Sequence, residues 1–136
     1  MEAAVDRYQR QMLLPEVGRS GQQRLSESGV LIVGCGALGC AQADLLVRAG
    51  VGHVRIVDRD VVEATNLQRQ TLYAEADVGN AKAHAAAARL RAVNSGVDVE
   101  PHASDVTSDN AQELASGCAV ILDGTDNFET RFLLND

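Results

Sequence analysis

Residues 29–39, GVLIVGCGALG, decide the fold: five apolar residues run without interruption into three glycines, and helical spacing begins at once behind them. An unbroken Val/Leu/Ile run is the mark of a strand buried on both faces, as in a parallel sheet covered by helices. The next residues carry Leu38, Ala41, Leu45 and Ala49 at helical spacing up to Gly50, which reads as strand, tight turn, helix. GCGALG, Gly34–Gly39, fits GxGxxG in that context. The glycines allow a tight turn and close backbone approach, and the helix N-terminus offers unpaired N–H groups and partial positive charge to a phosphate. A turn held tight only for packing is the competing reading of these glycines.

Outward from this unit the alternation continues. HVRIVDRD reads as a second strand, VGNAKAHAAAARLRAVN as a helix with Ala83, Ala86, Leu90 and Val93 on one face, and VDVEPH as a third strand. DNAQELASG gives a short helix with Gly117 past its end, and CAVILDGTDN a fourth strand running into an acidic turn. Before residue 29, MEAAVDRYQRQM reads as an N-terminal arm, and SGQQRLSES as a short helix capped by Ser20. The expected organisation is therefore a helical arm over residues 1–28 and a nucleotide-binding domain from residue 29 to 136. The expected fold is α/β, Rossmann-like and doubly wound with a mainly parallel sheet, which binds ligands beyond the carboxyl ends of its strands.

Composition narrows the partners. The chain has 136 residues, 46% of them hydrophobic but only 3% aromatic, so its core is aliphatic, which suits helices on a sheet. A net charge of -7 repels nucleic-acid backbones and anionic membranes, so neither is expected as a partner. With no long apolar run and no leader-like start, a cytoplasmic chain is expected. Cys35, Cys40 and Cys118 lack CxxC spacing and lie in apolar stretches, which favours reduced core cysteines over zinc. His53, His84 and His102 are scattered singly and read as surface or packing residues.

Three loops at the carboxyl edge carry the chemistry. Asp58 ends the second strand 19 residues after Gly39, where dinucleotide-binding domains place a ribose-binding carboxylate, and Asp60 follows. Residues 61–80, VVEATNLQRQTLYAEADVGN, then form a loop longer than cofactor binding alone requires, with Asn66, Gln68, Arg69 and Gln70 at its middle and Leu67 and Leu72 as apolar pins. Lys82 falls in the first turn of the next helix, where a cation opposes the helix dipole unless an anion is near. DGTDN delivers Asp123, Asp126 and Asn127 to the same edge. A carboxylate beside a phosphate fits a divalent cation between them, as for Mg2+. The convergence of Arg69, Lys82 and Asp126 favours a nucleoside triphosphate with Mg2+ over the metal-free pyrophosphate of NAD.

RYQRQ, VLIVGCGALGC, GVGHVRIVDRDVVEATNLQRQTLY, VGNAKA and DGTDN, taken in order, resemble the ThiF/MoeB/HesA adenylyltransferases of the ubiquitin-activating-enzyme-like superfamily, with wording similar to the molybdopterin-synthase branch and its sulfurtransferase-fused forms. The resemblance implies an enzyme that uses ATP and Mg2+ to adenylate the C-terminal glycine of a ubiquitin-like sulfur-carrier protein. It implies that the backbone around Ala37 lies along the nucleotide, that Asp58 holds its ribose, and that Asn66, Arg69 and Lys82 grip its phosphates, with Gly34, Gly36, Gly39, Asp60, Thr65, Leu67 and Gln68 also among the nucleotide-binding residues. Asp126 would bind Mg2+, Asn127 would sit beside the nucleotide, and Arg10 would reach the triphosphate of the neighbouring subunit in a homodimer. The implied catalytic set is Arg10, Arg69, Lys82 and Asp126. Ala37 replaces a glycine usual in the family. Family members continue further, with more strands, a carrier groove, often CxxC zinc pairs and a catalytic cysteine, so a chain truncated after its fourth strand and the start of the next helix, doubtful in turnover by itself, is expected. The alternatives are an NAD-binding domain of an oxidoreductase and a non-catalytic nucleotide-binding or interaction module.

Overall fold

A computed structural model describes residues 2–136. Its sheet contains β1 (Gly29–Val33), β2 (His53–Val57), β3 (Asp98–His102) and β4 (Val120–Asp123), all parallel, in the order β3-β2-β1-β4. The chain begins in the middle, moves out through β2 and β3, and returns to the other side of β1. Where the direction reverses, between β1 and β4, such a sheet leaves a crevice at its carboxyl edge.

Helices cover both faces. On one, α3 (Ala37–Ala49) and α4 (Lys82–Val93) pack on Val30, Ile32, Val54 and Ile56, burying an aliphatic core with Val47, Ala86 and Leu90. On the other, Leu31, Val33 and Val57 meet Leu114 of α5 (Ala111–Ala115), with Leu134 of α6 (Phe128–Asn135) packed against them. β1 is therefore buried at all five positions, as its unbroken apolar run requires.

The residues before β1 form two helices, α1 (Glu2–Met12) and α2 (Gly18–Ser26). They close the end of the molecule opposite the crevice: Gln11 Nε2 donates to Gln22 Oε1 (2.5 Å) and to the Ala49 carbonyl (2.8 Å), and Asn94 Nδ2 donates to Tyr8 Oη (2.7 Å). Ser20 does not cap α2. That helix starts at Gly18, with Val17 at the cap position and no side-chain capping bond, so Ser20 lies inside its first turns.

The face expected for α3 is also corrected. Leu38 and Leu45 are 53% and 67% exposed, while Gly39, Cys40, Ala43 and Val47 are buried. The glycine loop draws the start of α3 so close to the sheet that a Cβ on Gly39 would fall onto the Gly34 carbonyl oxygen. Only small residues fit beneath such a helix, so the leucines turn outward. α4 keeps its expected face, with Ala83, Ala86 and Leu90 fully buried.

Candidate functional site

The crevice at the carboxyl edge is a cleft of about 530 Å³. Its floor is the turn after β1, whose conformation follows from two glycines. Gly34 has φ +91°, in the left-handed region, and packs against the backbone of Gly124 in the turn after β4. A Cβ on Gly124 would in turn fall on the Gly34 carbonyl. The two turns thus sit backbone to backbone at the point where the strand order reverses.

Asp58 staples this floor to β2. Its Oδ2 accepts from the Cys35 N–H (2.7 Å) and its Oδ1 from the Asp60 N–H (2.7 Å). Each carboxylate oxygen has a further lone pair, so ribose hydroxyls are still within its capacity. Tyr73 Oη donates to the Cys35 carbonyl (2.6 Å), and burial pushes its phenol up, so it stays neutral.

Backbone hydrogen bonds tie residues 61–80 together. Val62 N donates to the Asn80 carbonyl and Gly79 N to the Val62 carbonyl, both at 2.8 Å, closing the loop at its base. The Lys82 N–H then donates to the Asp60 carbonyl (2.9 Å). Val62, Leu72 and Tyr73 are buried in the core, and Leu67 packs partly buried against it. This clamping holds Asn66, Arg69 and Gln70 over the glycine loop. Asn66 Oδ1 accepts from the Glu63 N–H (2.8 Å), and Arg69 Nη1 donates to the Thr65 carbonyl (3.2 Å).

Lys82 begins α4 and is 6% exposed, and among the described residues no hydrogen bond or ion pair engages its ammonium. A cation at a helix N-terminus opposes the helix dipole, and Lys82 lines the cleft. The turn after β4 distinguishes its two aspartates. Asp123 Oδ1 accepts from the Thr125 N–H and hydroxyl (2.8 and 2.5 Å), and its Oδ2 pairs with Arg131 Nε (3.1 Å). Asp126 is exposed at the cleft with no such partner among the described residues. Asn127 lines the cleft and also caps α6, its Oδ1 accepting from the Glu129 N–H (2.9 Å) and the Thr130 N–H (3.4 Å).

Of the residues expected from sequence, Gly34, Gly36, Ala37, Asp58, Asp60 and Asn66 line the cleft, as do Arg69, Lys82, Asp126 and Asn127. Gly39, Thr65, Leu67 and Gln68 do not: Gly39 packs α3 against the loop, Thr65 supplies a carbonyl to Arg69, Leu67 faces the core, and Gln68 is exposed. Arg10 lies exposed on α1, away from the cleft. Gln70, Ser104, Asp105, Val106 and Thr125 line it without having been assigned a role. The loop after β3 bears no glycine motif, and only the sheet order places it there; Asp105 pairs with Arg59 across this side (3.1 Å).

Cys35 and Cys40 are buried with their sulfurs 4.0 Å apart. The Cys35 thiol holds the Cys40 thiol down at about 7, against burial, while hydrogen bonding to Cys40 pushes Cys35 up. Cys118 is half-buried and packs against the cluster of Leu31, Val33, Val57 and Leu114, as its apolar stretch leads one to expect, with Arg55 Nη1 at 3.8 Å from its sulfur. Nor are all histidines solitary: His53 pairs with Asp98 (2.9 Å), and both His53 and His102 approach Glu100. Among the described residues no helix is long and apolar enough to cross a membrane.

Residues 8–136 match the ThiF family. The chain is 54% identical over 132 residues to the sulfur carrier protein ThiS adenylyltransferase of Bacillus subtilis, covering 96% of this chain and 39% of that protein. It is 50% identical over 130 residues to the adenylyltransferase and sulfurtransferase MOCS3 of Mus musculus, covering 96% of this chain and 28% of that protein. Among solved structures, tRNA N6-threonylcarbamoyladenosine dehydratase of E. coli in complex with ATP superposes with a TM-score of 0.91 at 30% identity, over 98% of this chain and 55% of that one. The chain thus spans less than half the length of these two curated relatives.

Proposed function

The chain belongs to the ThiF family, and on that premise we propose that its cleft binds ATP with Mg2+ and serves the adenylation of the C-terminal glycine of a ubiquitin-like sulfur-carrier protein. The observation that carries the reading is the pairing of a buried, unpartnered Lys82 with an unpartnered Asp126 across a glycine loop at the head of α3. A cation and a carboxylate facing one cleft suit a polyphosphate with a divalent cation, and do not suit a metal-free pyrophosphate.

The chemistry asks little covalent work of the protein. An oxygen of the carrier's terminal carboxylate attacks the α-phosphorus, the bond from that phosphorus to the bridging oxygen breaks, and acyl-adenylate and pyrophosphate result. Catalysis is positioning and charge neutralisation. Gly34, Gly36 and Ala37 offer close backbone approach, Asp58 and Asp60 accept from the ribose hydroxyls, and Asn66, Arg69 and Lys82 grip the phosphates, neutralising charge that builds on the leaving pyrophosphate. Asp126 would hold Mg2+, which supplies charge neutralisation at the phosphate oxygens. Its fitness for that task follows from its neighbour, since Asp123 is consumed by Thr125 and Arg131 while Asp126 is not. Consuming ATP, the reaction belongs in the cytoplasm.

The proposal includes a homodimer. Arg10 sits at the end of the subunit opposite its own cleft, so any phosphate it touches belongs to another copy. Leu38 at the cleft rim and Leu45 one turn beyond Ala41 leave an exposed apolar stripe on α3 suited to such a neighbour.

Thermal shift with ATP·Mg2+ and with NAD tests the reading: stabilisation by ATP·Mg2+ is expected, and a shift with NAD alone would defeat it. Pyrophosphate exchange with a carrier ending in Gly-Gly then separates an adenylating domain from a module that only binds nucleotide.

A further inference from the structure

Two cysteines lie beneath the glycine loop without a part in the chemistry proposed for it. Cys35 stands inside GCGALG and Cys40 in the first turn of α3, both fully buried, with their sulfurs 4.0 Å apart. Neither lines the cleft, whereas Gly34 and Gly36 on either side of Cys35 do, so the sulfurs sit under the cleft floor. Their backbones are pinned. The Cys35 N–H donates to Asp58 Oδ2 (2.7 Å), the Cys35 carbonyl accepts from Tyr73 Oη (2.6 Å), and the Cys40 N–H donates to the Gly36 carbonyl (2.9 Å). The thiols themselves are loosely engaged: the Cys40 sulfur stands 3.6 Å from the Cys35 carbonyl oxygen.

Distance decides what such a pair can form. A disulfide needs its sulfurs at about 2.05 Å, half the separation found here, while both backbones are held. A thiolate–metal bond is about 2.3 Å long, so one ion in line between two sulfurs spans about 4.5 Å and asks only a few tenths of an ångström of each side chain. The number of donors then selects the ion. Among the described residues no group of three His, Cys, Asp or Glu side chains is placed to share a metal, so zinc lacks its four ligands and the hard cations lack their oxygens. A soft ion satisfied by two thiolates remains, and Cu(I) is the one that thiolates select. The complex carries one negative charge. Lys82, buried and with no hydrogen bond or ion pair to its ammonium among the described residues, acts electrostatically on Cys40 in the sense that favours a charged sulfur.

We infer that Cys35 and Cys40 form a two-coordinate site for a soft monovalent cation, Cu(I), which clips the glycine loop to the head of α3. Two thiol protons leave as the ion binds, so binding weakens as pH falls. The loop between Gly34 and Gly36 is the cover between the sulfurs and the cleft, and the ion enters when it opens. Cys118 takes no part, since it packs on the other face of the sheet with Leu31 and Val33. Nothing in this site depends on the nucleotide reading of the cleft.

Cu(I) is titrated anaerobically into the full chain, kept reduced by a non-thiol reductant, against a chromogenic Cu(I) chelator, with circular dichroism of each variant. One ion per chain is expected, with two sulfur neighbours in X-ray absorption. Cys35→Ala and Cys40→Ala should each weaken binding about a hundredfold, and Cys118→Ala should leave it unchanged. Because Cys118→Ala keeps only Cys35 and Cys40 as thiols, an ion retained there with two sulfur neighbours identifies them even where the other two variants fail to fold. Any of four results overturns the inference: no ion retained by wild type against the chelator, undiminished affinity in a folded Cys35→Ala or Cys40→Ala, loss of the ion in Cys118→Ala, or a third ligand in the absorption spectrum.

Discussion

At the scale of single residues, the glycines of the loop do different work although one motif covers them. Gly36 has no heavy atom nearer than 3.6 Å to an added Cβ, and that atom is the Gln70 amide. Gly39 has the Gly34 carbonyl in the way. Gly36→Ala is therefore expected to fold with an unchanged melting temperature and to bind ATP·Mg2+ more weakly, because its methyl occupies the path of the phosphate. Gly39→Ala should lose about 3 kcal/mol of stability in chemical denaturation, from overpacking where neither backbone can yield. Arg69 is exposed and holds only a loop carbonyl, so Arg69→Ala should leave the fold intact and weaken ATP·Mg2+ binding about tenfold, the worth of one hydrogen bond to a charged group. Unchanged affinity by calorimetry would return residues 65–72 to the status of a surface loop. Arg69 and Lys82 were legible in the sequence because cations in an overlong loop and at a helix start are out of place. Gln70 was visible as a polar group and carried no hint that, of Asn66, Gln68, Arg69 and Gln70, it is the one that is buried.

At the scale of elements, periodicity located the helices and strands but did not settle which face each presents. Leucine spacing predicted the wrong face for α3, because the spacing registers hydrophobicity and the packing there is limited by distance. Asn127 joins two elements. It lines the cleft after β4 and caps α6, so Asn127→Ala should cost about 1 kcal/mol, visible as faster hydrogen exchange in residues 128–135, whatever it does to nucleotide binding. β2 and β3 are tied on the face that carries α5 by Arg55, Glu100, His53, His102 and Asp98. The Arg55 hydrogen bond, aided by His102 and opposed by desolvation, holds the Glu100 carboxyl below the usual carboxylate range. A carboxyl whose folded value is depressed stabilises the fold above its unfolded value, and that contribution is lost as pH falls through the folded one. Wild type is therefore expected to exceed Glu100→Gln in stability at neutral pH, with the gap closing below about pH 4.5 in urea titrations; a gap independent of pH would contradict the assignment.

At the scale of the whole molecule, β4 is an edge strand of the described sheet, with Val120 and Ile121 at 50% and 38% exposure. An open edge carrying apolar side chains invites pairing with another chain. The isolated chain should accordingly self-associate with rising concentration in sedimentation, and Ile121→Lys should reduce this. Association abolished instead by Leu38→Glu would place the contact on α3, as the homodimer reading requires. The sequence by itself determined the class of fold, the location of the glycine turn and the identity of the charged groups around it. Those features are local: a buried parallel strand needs an unbroken apolar run, and a tight turn into a helix needs glycine. Only the tertiary structure decided that Asp123 of DGTDN is engaged by Thr125 and Arg131, that the leucines of α3 face outward, and that the loop after β3 joins the cleft. Each of these depends on how closely two backbones approach across the sheet, a distance set by residues far apart in the chain and therefore absent from any one stretch of it.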